Sequence, residues 1–196
     1  MRRWSRIALI LACTAAAAPA ARAQNGLIGL EKAHQLLSSN QPRLAARELG
    51  IVSADFRSEI GRCRDEAIGA RLMELEPRID ALAMRINTGQ LTSAAALAHE
   101  FVGIDHALAE SHHQLATQGW AIRRVVRADA VAHELTLTAR YFERSLKWAG
   151  DVPPAMRTLL DDALALAKRI EADPANPPAE TGALLEALGK ALKGTT

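Results

Sequence analysis

Aromatic residues make up only 4% of the 196 residues, with a single tyrosine among them, and no alternating run rich in valine, isoleucine and threonine occurs anywhere. That shortage leaves little material for half-buried strands. Cysteine is almost absent, with Cys13 and Cys63 the two in the chain, which excludes a small disulfide-stapled scaffold. There is no Cys-x-x-Cys, His-Glu-x-x-His, Gly-x-Ser-x-Gly or glycine-rich phosphate loop, so redox-dithiol, zincin, serine-hydrolase and nucleotide-phosphate readings have no motif to stand on. Past the first two dozen residues, no stretch approaches the ~20 apolar residues that span a bilayer.

An excess of charge is also missing once the chain start is set apart. Arg2, Arg3 and Arg6 precede an apolar stretch, Ile7 to Ala18, and Ala21-Arg22-Ala23 has the small-x-small pattern of an export-signal cleavage site. Residues 1–23 are therefore expected to be a signal peptide, which makes the protein periplasmic or secreted. Four of the 24 basic residues lie there, leaving 20 against 22 acidic ones, so the mature chain carries a net charge of −2. Nothing in that balance favours nucleic acid as a partner. Two alternatives stay open for the leader: a lipoprotein box, Ile10-Leu11-Ala12-Cys13, that would lipidate Cys13, and a weak twin-arginine pattern at Arg2-Arg3. The Ala-x-Ala site is the better match.

What is present is alanine and leucine at helical spacing, and the expected fold is an all-α antiparallel bundle of long helices. The spacing predicts a first helix over about 27–38, ended by Asn40-Gln41-Pro42. A second stripe, Ala45, Leu49, Val52, Phe56, Ile60, Cys63 and Ala67, puts Cys63 on an apolar face. Past Gly69 the apolar positions shift by about a third of a turn to Leu72, Leu75, Ile79, Leu82 and Ile86, which predicts a kink or a short break between about 69 and 77, where Pro77 lies. A helix capped by Thr92 and running to Arg127 follows, then one from Asp129 to Ala149, with Arg144 on its solvated face. Gly150 to Pro154 stops the chain and restarts it as a helix to Ala172. The bundle domain thus covers 24–173, and 174–196 form a proline-rich linker and a last helix weakened by Gly182 and Gly189.

Glu31-x-x-His34-Gln35-Leu36 returns as Glu110-x-x-His113-Gln114-Leu115, 79 residues later, and Glu48-Leu49 with Phe56 returns as Glu134-Leu135 with Phe142 at a spacing of 86. Two helical hairpins related by duplication, with two further C-terminal helices, would account for this. So would coincidence in alanine-rich helices, and both readings stand.

The chemistry-bearing residues cluster on the segment after Thr92. His99, His106, Glu110 and His113 are spaced by seven, four and three and so share one helix edge, the arrangement from which a divalent transition metal takes imidazole and carboxylate ligands. The two Glu-x-x-His pairs also resemble the ligand pairs of carboxylate-bridged di-metal bundles, with Glu59 or Glu66 and Glu134 or Glu143 as further donors. Against this, the His edge lies opposite Leu97, Leu108, Leu115 and Ile122 and is expected to face water. Asp105 and His112 sit at the margin of the apolar stripe, where each is expected to pair with an arginine or backbone group as a register-fixing polar layer. Tyr141 and Trp148, seven apart and off the main apolar face, form either a contact patch for a protein partner or second copy, or ordinary packing. Arg123-Arg124-Val125-Val126-Arg127 complements a helix C-terminus. No catalytic constellation or cofactor emerges. The sequence supports an exported, non-enzymatic helical binding, scaffold or stress-related protein, with a His-rich metal-binding protein as the alternative.

Overall fold

The structure, a computed structural model, describes residues 17–61, 66–122 and 128–195. All regular structure among these residues is helical: α1 (Ala17–Ser38), α2 (Pro42–Ile60), α3 (Glu66–Asn87), α4 (Ala94–Ala121), α5 (Ala128–Ala149), α6 (Pro154–Ala172) and α7 (Thr181–Gly194). The residues before Ala17, with Cys13 and most of the expected leader, lie outside the described part, as do Cys63 and the run Arg123 to Arg127.

Local chemistry sets the ends. α1 closes with Asn40 in the left-handed region (φ 56°), where Asn40 N–H donates to the Leu37 carbonyl and Gln41 N–H to the Leu36 carbonyl. α3 closes in the same way on Gly89 (φ 71°), with Gln90 N–H on Arg85 and Gly89 N–H on Ile86. Both are Schellman caps, which satisfy carbonyls that the last helical turn leaves open. Pro42 and Pro154 occupy first helical positions, where a missing N–H costs nothing. The cap of α4 is Ser93, one residue beyond the expected Thr92, and its hydroxyl accepts from Ala96 N–H at 3.4 Å.

The kink or short break expected between about 69 and 77 does not occur there; the helix ends earlier, and the segment is a hairpin. α2 ends at Ile60 and α3 starts at Glu66, and the two pack along their lengths. Arg57 near the end of α2 reaches Glu76 and, at 3.3 Å, Asp80 on α3. The apolar shift past Gly69 therefore marks a chain reversal near Gly61. Pro77 sits inside an unbroken α3. The carbonyl its missing N–H would have met belongs to Met73, whose side chain is 61% exposed, so that edge of the helix faces water.

Packing follows chain order. α2 lies on α1 and α3, and α5 lies on α4 and α6. The α1–α2 pair is antiparallel, with Lys32 bonded to Glu48 at 2.8 Å. Gly29 lies so close to Val52 that a Cβ there would come within 2.4 Å of its Cγ2. The order three helices, then three helices, repeats: α2 and α5 start 86 residues apart and α3 and α6 start 88 apart.

α4 is the centre of the molecule, touched by α1, α3, α5 and α7. Leu97, Phe101, Ile104 and Leu108 fill one side, and Ala107, Ala109, Ser111 and Ala116 are completely buried on others. Short side chains let neighbouring helices close on faces that a hydrophobicity pattern assigns to solvent. Ile122, expected on the apolar stripe, is instead 51% exposed at the end of α4.

Candidate functional site

Two groups of polar side chains meet on α4. The first lies between α4 and α5, which run antiparallel. Arg144 donates to both Asp105 oxygens at 2.6 Å, and the Trp148 indole N–H donates to Asp105 Oδ2 at 2.8 Å. Two turns along α4, His112 Nδ1 lies 2.7 Å from Glu134 Oε2. The Tyr141 ring joins the two pairs: it stacks on the His112 ring at 5.3 Å and 4°, and the Arg144 guanidinium carbon is 5.4 Å from its centre. The spacing of seven between Asp105 and His112, and between Glu134, Tyr141 and Trp148, brings these side chains to one seam at two-turn intervals.

Burial pushes the Asp105 carboxyl above its ordinary pKa, while the Arg144 charge and the donated bonds pull the other way. A guanidinium forked onto both oxygens stays charged and holds its partner ionised. This seam corrects one expectation and, of the two readings open for Tyr141 and Trp148, favours packing. Arg144, expected on a solvated face, is 5% exposed, and Tyr141 is 1% exposed, so Tyr141 offers no surface to a partner. Trp148 is half-buried, packed on Phe101 and His34 at ring distances of 5.7 and 5.0 Å. Asp105 finds the arginine expected of it, and His112 finds a carboxylate.

The second group is the histidine edge, expected to face water, of which His99 does so while His106 is buried and Glu110 and His113 are half-buried. His106 is 5% exposed, its ring set edge-on against Phe142 at 5.9 Å. Its Nε2 is 3.6 Å from Glu110 Oε1, and Arg71 of α3 bonds the other Glu110 oxygen. Burial disfavours the Glu110 charge, but His106 and Arg71 together outweigh it and hold the carboxyl below its usual range. His113 points elsewhere, with Nε2 2.7 Å from the Leu185 carbonyl of α7, and His99 is exposed near the start of α4. Of the four candidate metal ligands, His106, Glu110, His113 and His99, only His106 and Glu110 approach, and that carboxylate already holds an arginine. Among the described residues no three histidine, cysteine, aspartate or glutamate side chains gather at a metal-binding distance. Glu31-x-x-His34 and Glu110-x-x-His113 do not converge either, since the His34 ring lies tilted against Trp148, His113 turns to the Leu185 carbonyl and Glu134 serves His112.

His113 instead helps build a seam between α4 and α7. The helices are antiparallel, and two glycines on α7 lie beside two large rings on α4. A Cβ at Gly189 would come within 2.8 Å of the His113 ring, and one at Gly182 within 3.0 Å of the Trp120 indole nitrogen. Leu185 is four residues before Gly189, so the missing side chain at Gly189 is what lets the imidazole reach that carbonyl. The glycines that weaken α7 as an isolated helix are the sockets by which it docks. Leu185, Leu188 and Leu192 are buried beneath it.

Beside these contacts the seam encloses a half-open cavity of about 550 Å3, with Trp120, Leu185 and Leu192 among its apolar walls and Glu110, Lys190 and Lys193 at one end. A smaller cavity of about 280 Å3 lies across the Arg71–His106 group, with Gly103 and Ala149 in its wall. Sequence reasoning found His113 but not its partner, because the partner is a backbone carbonyl 72 residues away.

Burial depresses the His113 pKa, the charge of Lys193 adds to this, and the Leu185 carbonyl and Glu110 oppose both. A histidine whose folded pKa lies below its ordinary 6.5 contributes stability in full above that value and loses it as pH falls from 6.5 toward the folded pKa. Hydrogen exchange of the α7 amides should therefore quicken, relative to those of α5, on acidification through this window. In His113→Gln, which keeps a donor and cannot titrate, that pH dependence should vanish.

Comparison with protein-family models, with curated proteins and with solved structures finds no match for this chain.

Proposed function

We propose that the chain is an exported helical binding module of the bacterial periplasm, without catalytic activity of its own, and that the seam between α4 and α7 is its ligand seat. The observation that carries this reading is the cavity of about 550 Å3 along that seam, a size typical of small-molecule sites, with apolar walls and a few polar groups at its margin. The export reading rests on the basic, apolar and Ala-x-Ala succession at residues 2–23. The buried ionisable groups speak for binding rather than catalysis, because Asp105, Arg144, His112 and Glu134 are engaged with one another.

Native mass spectrometry of the protein recovered from its export compartment tests the proposal. A co-purifying small molecule is expected, and Thr117→Trp, at an exposed position on the cavity wall, should remove it without changing the fold. A protein that carries no such molecule and gains no thermal stability from any member of a metabolite library would overturn the reading. A tightly held transition metal in the same sample would replace it with the metal-binding alternative.

A further inference from the structure

α3 packs on α2 and α4 and buries Leu72, Leu75, Ile79, Leu82 and Ile86, while its opposite side is open. That open side is apolar. Ala70, Met73, Pro77, Ala81 and Met84 are all exposed, the two methionines by 61% and 68%. Their spacing of three, four, four and three keeps them on one face along about 21 Å of helix. A surface helix ordinarily carries charge there.

The stripe is symmetric about Pro77, with members seven and four residues to either side. Size is distributed unevenly along it. At 100° per residue, Met73 and Met84 lean to the flank nearer α2, where Arg57 reaches Glu76 and Asp80. Ala70 and Ala81 lean to the flank nearer α4, where Arg78 and Arg85 reach Glu100. With a second α3 laid antiparallel on the first and the two-fold axis at Pro77, Met73 falls across from Ala81 of the copy and Met84 across from Ala70 of the copy. A long side chain then meets a short one at each level. A parallel pairing would instead set each side chain level with itself.

Charge agrees with the antiparallel arrangement. Glu74 is exposed on the α4 flank and makes no ion pair among the described residues, and Arg78 on the same flank is 64% exposed, with Glu100 at 3.6 Å. Glu74 lies three residues before the axis and Arg78 one after it, so on facing helices they come within about 3 Å of the same level. Each Glu74 thereby meets the Arg78 of the other copy.

We infer that α3 is a self-association face, on which a second copy of this chain docks antiparallel with Pro77 at the two-fold axis. One helix from each copy buries on the order of 1,000 Å2 or less, at the weak end of specific interfaces. The Met73 carbonyl that Pro77 leaves open lies at the edge of the seam and costs free energy to cover. The dimer therefore forms reversibly, in the micromolar range or above. It leaves the seat between α4 and α7 untouched and does not depend on it.

Sedimentation equilibrium of the full mature chain, from low micromolar to near-millimolar concentration, tests the proposal. A monomer–dimer equilibrium is expected, and Met84→Glu, which sets a charge against alanine, should weaken it by about tenfold or more with an unchanged circular dichroism spectrum. Glu74→Arg and Arg78→Glu should each weaken self-association, whereas an equimolar mixture of the two variants should pair, because only the mixed dimer restores both ion pairs. In a Cys63→Ser background, Pro77→Cys should be trapped by diamide as a disulfide dimer, and Ala70→Cys only when mixed with Met84→Cys. A chain that stays monomeric throughout the range, a dimer indifferent to Met84→Glu, or an Ala70→Cys variant that couples to itself as fast as Pro77→Cys would overturn the proposal.

Discussion

Arg144→Met should lower the unfolding free energy by about 3–5 kcal/mol, because it leaves the carboxylate of Asp105 buried without its counter-charge. Asp105 is completely buried, so water cannot replace the two bonds that the guanidinium supplies. The Trp148 indole would remain as a single neutral donor. In a chain of this size such a loss corresponds to a drop in melting temperature of roughly 10 °C. The deficit should shrink on acidification, since the abandoned carboxyl can take up a proton and become neutral. Combining Asp105→Leu with Arg144→Met removes both charges together and should recover most of the loss, because apolar groups of similar volume can replace a buried ion pair at little cost. Thermal and urea denaturation of the two variants would check this. If the single and double variants are equally stable, the pair is not coupled as described.

The second large effect belongs to the other end of the same seam. Glu134→Leu takes the acceptor from His112, whose ring is completely buried, and should cost about 1–3 kcal/mol. Glu134→Gln keeps an acceptor oxygen at a similar place and should lose distinctly less. Urea denaturation gives the energies, and the nitrogen shifts of the His112 ring report whether the bond to residue 134 survives. Identical stabilities for the leucine and glutamine variants would mean that Glu134 contributes only its stem.

The residues that could be read correctly in advance are those whose partners are near in sequence or implied by periodicity. Alanine and leucine at helical spacing specify rods, and Asn40, Gly89 and the Pro153-Pro154 pair mark their ends by local backbone chemistry. The α2–α3 reversal was present in the sequence as a change of phase, but its position was not. At the described end of α2 the breaker is Gly61, whereas Gly69 and Pro77 are stronger signals that α3 absorbs. Burial of the histidine edge depends on Ala107, Ala109 and Ala116, which count as weakly apolar and let neighbours approach because they are small. The seam with α7 was hidden for a different reason. His113, Gly189 and the Leu185 carbonyl carry meaning only together, and nothing local to any one of them announces the other two. Arg144 shows both sides: its charge suggests solvent, while Asp105 on the facing stripe already demanded a cation.

The order in which helices touch has a kinetic consequence. Each of α2, α3, α5 and α6 lies against its predecessor in the chain, so most of the architecture assembles from short-range hairpins, the kind of topology that reaches its native form in microseconds to milliseconds. α7 docks across a longer loop, since its berth on α4 lies some 70 residues upstream, and α1 reaches α4 and α5 across longer ones still. The glycine-lined berth should therefore form after the hairpins that it joins.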